Sequence, residues 1–328
     1  VINNGATLGG RIFAAGLVGD DNAAKGLSGI LQEKSVDVSG FIKDANRSTI
    51  SKTRIVAGGR TTVSQQIVRV DKESKEPMGK AQEQRLEEYL KQVLPQVKGV
   101  VLSDYGSGTI TDKLLGQIFA YCQEHNIPTI VDSRYDILRF KTVDYIKQND
   151  AELSAAIGRD LATEEELVQG GCELLVKMSA KGALITRGED GMSLFQIISP
   201  QEAADYLKSQ EVSGSGDFGQ FREGLTVKLV VKRQTGRLSV VQELISYQDR
   251  DILVSHIPVT DKSEVYDVSG AGDTCVATVI LGLAAGLEPL LACQLSNEAS
   301  GIAVRKMGTS VVYAQELEAR FRQLGYEA

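Results

Sequence analysis

Short apolar runs alternate with longer amphipathic segments along the chain. Short apolar runs, which are typical of buried strands, occur at residues 12–18, 97–103, 129–132, 143–146, 183–186 and 192–198. Apolar residues at helical spacing predict helices over residues 22–33, 112–126 and 164–177. The first ten residues are typical of the end of a helix stopped by glycine. Short strands alternating with helices predict a mostly parallel sheet covered by helices on both faces.

Two stretches depart from this alternation of strands and helices. Residues 48–71 alternate in hydrophobicity around Gly58-Gly59, which predicts a β-hairpin. Residues 199–257 are polar and contain an inner hairpin, so we interpret them as an insertion that serves as a lid or a docking surface. Residues 290–306 and 314–324 are predicted to be helical, and we expect one α/β domain over residues 1–328.

Polar residues follow several predicted strands at the point where each strand ends. They are Asp104, Asp132, Asn149 and Thr186. Ligands of parallel α/β sheets bind at the carboxyl ends of the strands, so we expect a functional site at this edge.

The stretch Asp267-Val-Ser-Gly-Ala-Gly-Asp-Thr274 precedes an apolar run at residues 275–285 that predicts a buried helix. Glycines let backbone N–H groups converge, and the start of a helix adds unpaired donors and the positive end of its dipole. The combination predicts an anion site. A carboxylate at its rim, Asp273, is suited to accept a proton from an attacking hydroxyl. The alternative is a glycine-rich turn in which Asp273 only caps the helix.

Composition narrows the classes of function. The net charge of -7 and the pI of about 5.2 disfavour binding to nucleic acid and suit a metal-nucleotide or a small polar substrate. No apolar run reaches the length of a membrane span. The four cysteines lack C-x-x-C spacing and are expected to be reduced thiols in a cytoplasmic protein. Neither of the two histidines has a partner at metal-ligand spacing, which disfavours zinc.

The eight residues from Asp267 to Thr274 resemble the C-terminal signature of the PfkB, or ribokinase-like, sugar kinases. The resemblance implies a ribokinase-like α/β fold with a small β lid, and ATP and Mg²⁺ as cofactors. It implies that Asp273 is the catalytic base and that the amides of Gly270, Ala271 and Gly272 form the anion hole. Asp267 would help to hold a potassium ion nearby.

Further motifs agree with the same family. Asn149-Asp-Ala-Glu152 resembles its N-x-x-E motif, which implies that Asn149 and Glu152 organise the Mg²⁺ shell through waters; the alternative is a helix cap with a first-turn acid. Residues 186–191 resemble its T-x-G-x-x-G element beside the nucleotide phosphates, although an ordinary glycine hairpin has the same pattern. The nucleotide-binding residues that the resemblance implies are Thr186, Gly188, Gly191 and Asn297, with a solvent-facing side chain as the alternative for Asn297.

A finer resemblance is to kinase domains that phosphorylate D-glycero-D-manno-heptose 7-phosphate, through residues 49–54, 65–71, 101–106 and 308–310. In that group the hairpin is a lid that closes over the sugar. The substrate-binding residues it implies are Lys52, Arg54, Gln66, Arg69, Asp104 and Arg134; the alternative for the hairpin is a solvated β face. Ser107 stands where the group often has lysine, and Asp132-Ser-Arg134 stands for its D-P-K, which leaves the sugar open. The family's first strand, with its sugar-binding aspartate, would precede Val1.

These features predict a cytoplasmic enzyme that transfers the γ-phosphoryl group of Mg-ATP to a hydroxyl of a sugar or sugar phosphate. By resemblance it is expected to be a homodimer. The alternative is a kinase-fold protein with weak catalysis that docks a partner through the insertion. A nicotinamide oxidoreductase is disfavoured, because Gly214-Ser-Gly-Asp-Phe-Gly219 has neither a strand before it nor a helix after it, and we interpret it as a flexible loop.

Overall fold

The structure is a computed structural model that describes residues 1–58, 65–213, 217–222, 224–235, 238–261 and 265–325. The chain forms two compact units. The large unit contains Val1–Gly10, Val97–Tyr105 and the described residues from Phe119 onward. The small unit contains the described residues of Arg11–Gln96 and Gly106–Ile118.

The helices are α1 (Ile2–Thr7), α2 (Asn22–Gln32), α3 (Lys80–Val93), α4 (Asp112–Glu124), α5 (Asp150–Ile157), α6 (Glu164–Met178), α7 (Pro200–Ser213), α8 (Ala271–Ala284), α9 (Pro289–Val304) and α10 (Ala314–Gln323). The strands are β1 (Phe13–Gly19), β2 (Asp37–Asp44), β3 (Ser51–Ala57), β4 (Gln65–Lys72), β5 (Val100–Asp104), β6 (Thr129–Ser133), β7 (Tyr145–Asn149), β8 (Gly182–Thr186), β9 (Met192–Ile198), β10 (Asp217–Arg222), β11 (Leu225–Thr235), β12 (Leu238–Tyr247) and β13 (Arg250–Ile257). Helices α3, α5 and α7 and strands β2, β10 and β13 are elements that the apolar pattern does not predict.

The large unit is built on one sheet with the strand order β10-β11-β12-β13-β9-β8-β7-β6-β5. Strands β5 to β8 are parallel neighbours, as the sequence predicts. From β8 outward the pairs are antiparallel. Only residues 187–191 join β8 to β9, which is too short for the crossover that a parallel pair needs. The sheet is therefore mixed, with its parallel part confined to β5–β8.

Helices cover both faces of this sheet, as predicted. Leu184 and Leu194 pack in one buried cluster with residues of α8 and α9, including Val276. Successive strand residues point to opposite faces, so Phe195 lies on the other face, where its ring contacts α6 at Gly171. A Cβ atom at Gly171 would lie 2.3 Å from Phe195 Cζ. The helix can approach the sheet this closely because position 171 has no side chain.

Replacing Gly171 by alanine should lower the free energy of unfolding by about 1–3 kcal/mol, the usual cost of overpacking a core. Phe195 is 0 % exposed and has little room to move. Gly170→Ala is the matched control, because its methyl group would meet the flexible ends of Ile157 and Leu161 and should cost less. Urea unfolding of both variants measures the difference. Equal destabilisation would contradict the packing role of Gly171.

The small unit contains two separate pairs of strands. Strands β1 and β2 are parallel, and β3 and β4 form the predicted antiparallel hairpin. Of its predicted turn, Gly59 lies outside the described residues. Asp21 caps α2 by accepting from the Ala24 amide at 2.9 Å. Hydrogen bonds from the Ala24 and Thr49 amides lower the pKa of Asp21 to about 2.

Most of the predicted insertion extends the large sheet. Strand β13 pairs with β9, and β12, β11 and β10 follow in turn. Leu229, Val231 and Leu244 pack against α7 at Ala203. Residues 214–216 of the glycine motif lie outside the described residues, but from Asp217 the chain forms β10 where a flexible loop was expected. No helix in the described part of the chain is long and apolar enough to cross a membrane.

Candidate active site

The polar strand ends lie together at one edge of the large sheet, as predicted. Asp104, Asn149 and Thr186 are the last residues of β5, β7 and β8, and Asp132 is the penultimate residue of β6. The register pairs Asp132 with Lys147 and Asn149 with Thr186. These parallel neighbours therefore bring their carboxyl ends to the same side.

The glycine stretch forms the start of α8. Gly270 is the N-cap residue with φ of +87°, in the left-handed region that favours glycine. No side chain caps the first turn in the described structure, so the alternative in which Asp273 only caps its helix is not observed. The Ala271 amide donates to the Val268 carbonyl at 3.3 Å, and the Thr274 amide and hydroxyl donate to the Gly270 carbonyl. The turn thus presents the start of a 14-residue helix beside the carboxylate of Asp273.

A polar cleft of about 110 Å³ opens at this point in the large unit. It is lined by Tyr105, Asp132, Arg134, Lys147, Glu152, Gly270, Gly272 and Asp273. Asp273, Gly270, Gly272, Glu152 and Arg134 are residues that sequence reasoning proposed for the base, the anion hole, the metal shell and the substrate. The structure brings these five into one cleft.

Tyr105 and Lys147 line the cleft but were not proposed from the sequence. Lys147 is the more unusual of the two. It lies in β7, is 5 % exposed, and its Nζ is 3.4 Å from Asp132 Oδ1. A Cβ atom at Gly272 would lie 2.8 Å from Lys147 Nζ, so the ammonium lies against the first turn of α8. A lysine inside a buried strand, two residues before the N-x-x-E motif, was the available signal, because lysine is almost never fully buried unless it is paired.

Two ionisable groups of the cleft, Asp132 and Lys147, have a raised pKa. Burial raises the pKa of Asp132, and the carboxylates of Glu152 and Asp273 add to it, although Lys147 opposes the shift. Burial acts to lower the pKa of Lys147, but the charge and hydrogen bond of Asp132, together with Cys275 and Glu152, outweigh burial and raise the pKa. Both shifts favour the protonated form, for Asp132 chiefly through burial and for Lys147 through its anionic neighbours. Lys147 is therefore charged at neutral pH.

The carboxylates of the cleft also affect the pKa of Tyr105. Burial, together with the carboxylates of Asp273, Asp132 and Glu152, raises the pKa of Tyr105 to about 12. Its hydroxyl is therefore protonated at neutral pH and can donate a hydrogen bond into the cleft.

Asn149 and Glu152 form a capping box at the start of α5. Asn149 Oδ1 accepts from the Glu152 amide at 2.7 Å, and Glu152 Oε2 accepts from the Asn149 amide at 2.9 Å. This is the alternative that the sequence left open, yet Glu152 also lines the cleft. Across the described residues no group of three or more His, Cys, Asp or Glu side chains could hold a metal ion by itself. Magnesium fits such a site, because it takes few carboxylates and completes its shell with waters and phosphate oxygens.

The proposed nucleotide-binding residues are not among those that line the cleft. Asn297 is 8 % exposed, and its Nδ2 donates to the Pro258 carbonyl at 2.8 Å. Gly191 has φ of +85°, and a Cβ atom there would lie 2.1 Å from the Ile257 carbonyl oxygen. Thr186 Oγ1 is 3.4 Å from the Gln148 carbonyl, and Asp267 Oδ1 accepts from the Ser269 amide at 2.8 Å. Gly188, with φ of +55°, lies in the turn between β8 and β9.

The proposed substrate-binding residues divide between the two units. In the large unit, Asp104 accepts a hydrogen bond from Ser133 Oγ at 3.2 Å. The hairpin residues belong to the small unit, where Lys52 pairs with Glu73 at 3.0 Å and Arg69 pairs with Asp71 at 2.9 Å. Arg54 lies directly opposite Arg69 in the β3–β4 register. Gln66 lies in β4, and its side chain is outside the described structure.

The same fold occurs in solved sugar kinases. Phosphofructokinase-2 from Escherichia coli in complex with potassium has a TM-score of 0.64 and 16% identity over 99% of this chain and 86% of its own. Arabidopsis thaliana ribokinase complexed with ribose and ATP has a TM-score of 0.61 and 17% identity over 98% of this chain and 83% of its own. At these identities the likeness establishes the ribokinase-like α/β fold.

The sequence pattern of the pfkB family carbohydrate kinases matches residues 1–217 and 245–315. The chain belongs to this family and is a carbohydrate kinase. It is 33% identical to the bifunctional protein HldE of Geobacter metallireducens and 31% identical to that of Geobacter sulfurreducens, over 97% of this chain in both cases. The chain spans about half the length of these curated relatives, 53% in each. Residues 218–244, within the insertion, lie between the two matched segments.

Proposed function

We propose that this carbohydrate kinase transfers the γ-phosphoryl group of ATP to a hydroxyl of a sugar phosphate, with a heptose 7-phosphate as the acceptor. The observation that carries the proposal is the cleft in which Asp273, the uncapped start of α8 and two cations lie together. Phosphoryl transfer needs positioning and charge stabilisation more than covalent help, and this set of groups supplies both.

In the proposed reaction each group of the cleft has one task. Asp273 accepts the proton of the acceptor hydroxyl as that oxygen attacks the γ-phosphorus. The amides of Gly270 and Gly272, at the positive end of α8, stabilise negative charge on the phosphoryl oxygens. The amide of Ala271, which donates weakly to the Val268 carbonyl at 3.3 Å, adds to the same positive end. Glu152 and Asn149 would hold Mg²⁺ through waters, and the bound ion would supply positive charge to the phosphates.

A phosphorylated acceptor is supported by the basic residues of the hairpin. Arg54 and Arg69 are directly opposite each other, and like charges in that arrangement destabilise a strand pair unless an anion compensates them. Arg69 is compensated by Asp71, whereas Arg54 has no ion pair with any described residue. Arg54 is therefore the hairpin cation best suited to bind a sugar phosphate.

An acceptor panel tests the proposed function. The purified protein is incubated with Mg-ATP and either a heptose 7-phosphate, the same heptose without phosphate, fructose 6-phosphate or ribose. ADP release is coupled to NADH oxidation, and the products are identified by mass spectrometry. We expect the heptose 7-phosphate to give the highest kcat/KM. Preference for an unphosphorylated sugar would refute the acceptor class, and absence of acceptor-dependent ADP release would refute the activity.

The role of Glu152 in metal binding can be separated from its role as a cap. Glu152→Gln should raise the Mg²⁺ concentration for half-maximal activity by about tenfold, on the scale of a lost metal-shell contact. The melting temperature should barely change, because glutamine also serves in a capping box. Glu152→Ala removes both functions and should lower the melting temperature as well. An unchanged Mg²⁺ requirement in the glutamine variant would show that Glu152 is only a cap.

Replacing Arg54 by alanine should raise KM for the heptose 7-phosphate by about tenfold or more, because a hydrogen bond to a charged group contributes on the order of 1.5–3 kcal/mol. The internal controls are KM for ATP and kcat/KM for the unphosphorylated heptose, which should both remain within about twofold. Steady-state kinetics with both acceptors measures the contrast. Equal losses for both acceptors would contradict phosphate binding by Arg54.

Three further properties follow from the family resemblance, and we propose them here. The enzyme is cytoplasmic, potassium activates it near Asp267, and two copies associate through the hairpin. The exposed apolar side chains of the hairpin support the last, since Ile55 is 50% and Val70 is 54% exposed. Potassium activation is tested by comparing activity in potassium with activity in sodium. Association of two copies is tested by measuring the mass in solution by light scattering.

A further inference from the structure

Lys147 occupies a position that is expensive for a charged side chain. It is the third residue of β7, between the parallel neighbours β6 and β8, and it is 5 % exposed. Removing an ammonium group from water costs several kcal/mol unless its partners are placed well. Replacing a whole buried ion pair by apolar residues is often neutral or stabilising, so the pair of Lys147 and Asp132 calls for a reason other than the stability of the sheet.

The ion pair with Asp132 is a loose one. Lys147 Nζ is 3.4 Å from Oδ1 and 3.5 Å from Oδ2 of Asp132, whereas charge-assisted hydrogen bonds are shorter, at about 2.7–2.9 Å. An ammonium group has three N–H donors. Asp132 is thus close enough to hold the ammonium in the cleft and too far to bind it tightly.

The ammonium also lies beside the glycine turn that begins α8. Position 272 has no side chain, and a Cβ atom there would be 2.8 Å from Nζ. Lys147 therefore lies beside the first turn of α8, which no side chain caps in the described structure. A fixed cation and the positive end of a helix dipole act on the same small volume, and Asp273 lines that volume too.

Lys147 and Arg134 are the cations among the residues that line the cleft, so a bound anion is favoured next to them. Asp132, Glu152 and Asp273 are three carboxylates against these two cations. A phosphoryl group in transfer carries negative charge on its peripheral oxygens and is stabilised by cations that need not move far to meet it.

We propose that Lys147 is a catalytic residue that donates hydrogen bonds to the transferred phosphoryl group, and that Asp132 is a positioning residue that holds the ammonium at the anion hole before ATP binds. This inference rests on the proposed function. During transfer the bond from the γ-phosphorus to the β,γ-bridging oxygen breaks, a bond to the acceptor oxygen forms, and the acceptor proton moves to Asp273. Lys147 keeps its proton throughout.

Removing the two partners of the pair one at a time separates catalysis from structure. Lys147→Met should lower kcat by about a hundredfold or more, because it removes a charge that acts on the transition state. Asp132→Asn keeps the cation and should lower kcat by less than about tenfold. In a purely structural pair, the loss of either partner would have a similar effect. Lys181→Met is the matched control, because Lys181 forms an exposed ion pair with Asp144, and its kcat should not change.

Lys147→Met leaves the Asp132 carboxylate buried and unpaired, so the variant is also expected to melt at a lower temperature. The double variant Lys147→Met, Asp132→Asn removes this penalty. It should regain the melting temperature and keep the low kcat. Recovery of kcat in the double variant would overturn the proposal.

Nucleotide affinity provides a readout that does not depend on an acceptor. Calorimetric titration with Mg-ATP and Mg-ADP should show that Lys147→Met reduces the preference for ATP over ADP by about tenfold, since only ATP carries the γ-phosphate. The unaltered protein could prove inactive with every acceptor while Lys147→Met still reduces the preference for ATP. That result would refute the proposed function and support the contact between Lys147 and the γ-phosphate. An unchanged preference would overturn the inference, even in an active kinase.

Discussion

Replacing Asp273 by asparagine should lower kcat by roughly a hundredfold or more, which is the usual contribution of a positioned general base. Asparagine has nearly the same shape, and no side-chain cap of α8 is lost, because none is present in the described structure. The helix start and its anion hole should therefore be preserved. Affinity for Mg-ATP should change by less than about threefold, so the loss should appear in kcat, as measured by steady-state kinetics with calorimetry for the nucleotide.

Asp160→Asn is the matched control for this variant, since Asp160 is an exposed carboxylate in the same unit and away from the cleft. Its kcat should equal that of the unaltered protein. Turnover of the Asp273 variant within a few-fold of the unaltered protein would remove Asp273 from the role of base. A large loss of ATP affinity with unchanged kcat would instead assign Asp273 to nucleotide binding.

Replacing Gly272 by alanine should be nearly as damaging as the loss of the base, with kcat lower by about a hundredfold. The new methyl group would lie 2.8 Å from Lys147 Nζ. Cβ atoms essentially never approach a non-bonded heavy atom this closely. Either the ammonium or the start of α8 must shift, and the methyl group also enters the space assigned to the phosphoryl oxygens. Kinetics and the Mg-ATP titration used for Lys147 measure both effects.

Two comparisons show whether the methyl group acts in this way. Gly116→Ala, at an exposed position of helix α4 where a Cβ atom meets nothing within 4 Å, should leave kcat unchanged. If the methyl group acts by displacing Lys147, the double variant Gly272→Ala, Lys147→Met should lose much less than the product of the two single losses. Full multiplication of the losses would mean that the two residues act independently.

Parts of the site could be predicted because their chemistry is local in sequence. Gly270 and Gly272 before an apolar run specify the start of a buried helix, and Asp273 follows within its first turn. Asn149 and Glu152 are three residues apart, so one local pattern specifies both a capping box and a carboxylate at the strand end. For that pair the sequence could not choose between the two roles, and the structure contains the cap and the cleft-lining carboxylate together.

Other parts depend on contacts between distant residues. Lys147 meets Gly272 only because α8 packs onto the sheet, and nothing in the residues around either position specifies that contact. Helix α3 is mostly polar and buries only Leu86, Leu90 and Val93, so its apolar pattern is too sparse to predict it. The sequence proposed Lys52, Arg54 and Arg69 as substrate-binding cations and favoured Arg54 and Arg69, but in the fold Glu73 pairs with Lys52 and Asp71 pairs with Arg69.

The amino-acid sequence by itself determined the alternation of strands and helices, the edge of the sheet where polar residues collect, and the helix start that carries Asp273. Each of these follows from periodicity or from backbone conformation within a few residues. Only the tertiary structure decided that the sheet continues as antiparallel strands beyond β8 and that a buried ammonium lies beside the start of α8. Strand direction depends on the length of each connection, and the place of a charge depends on which elements pack together, so neither can be inferred from a local pattern.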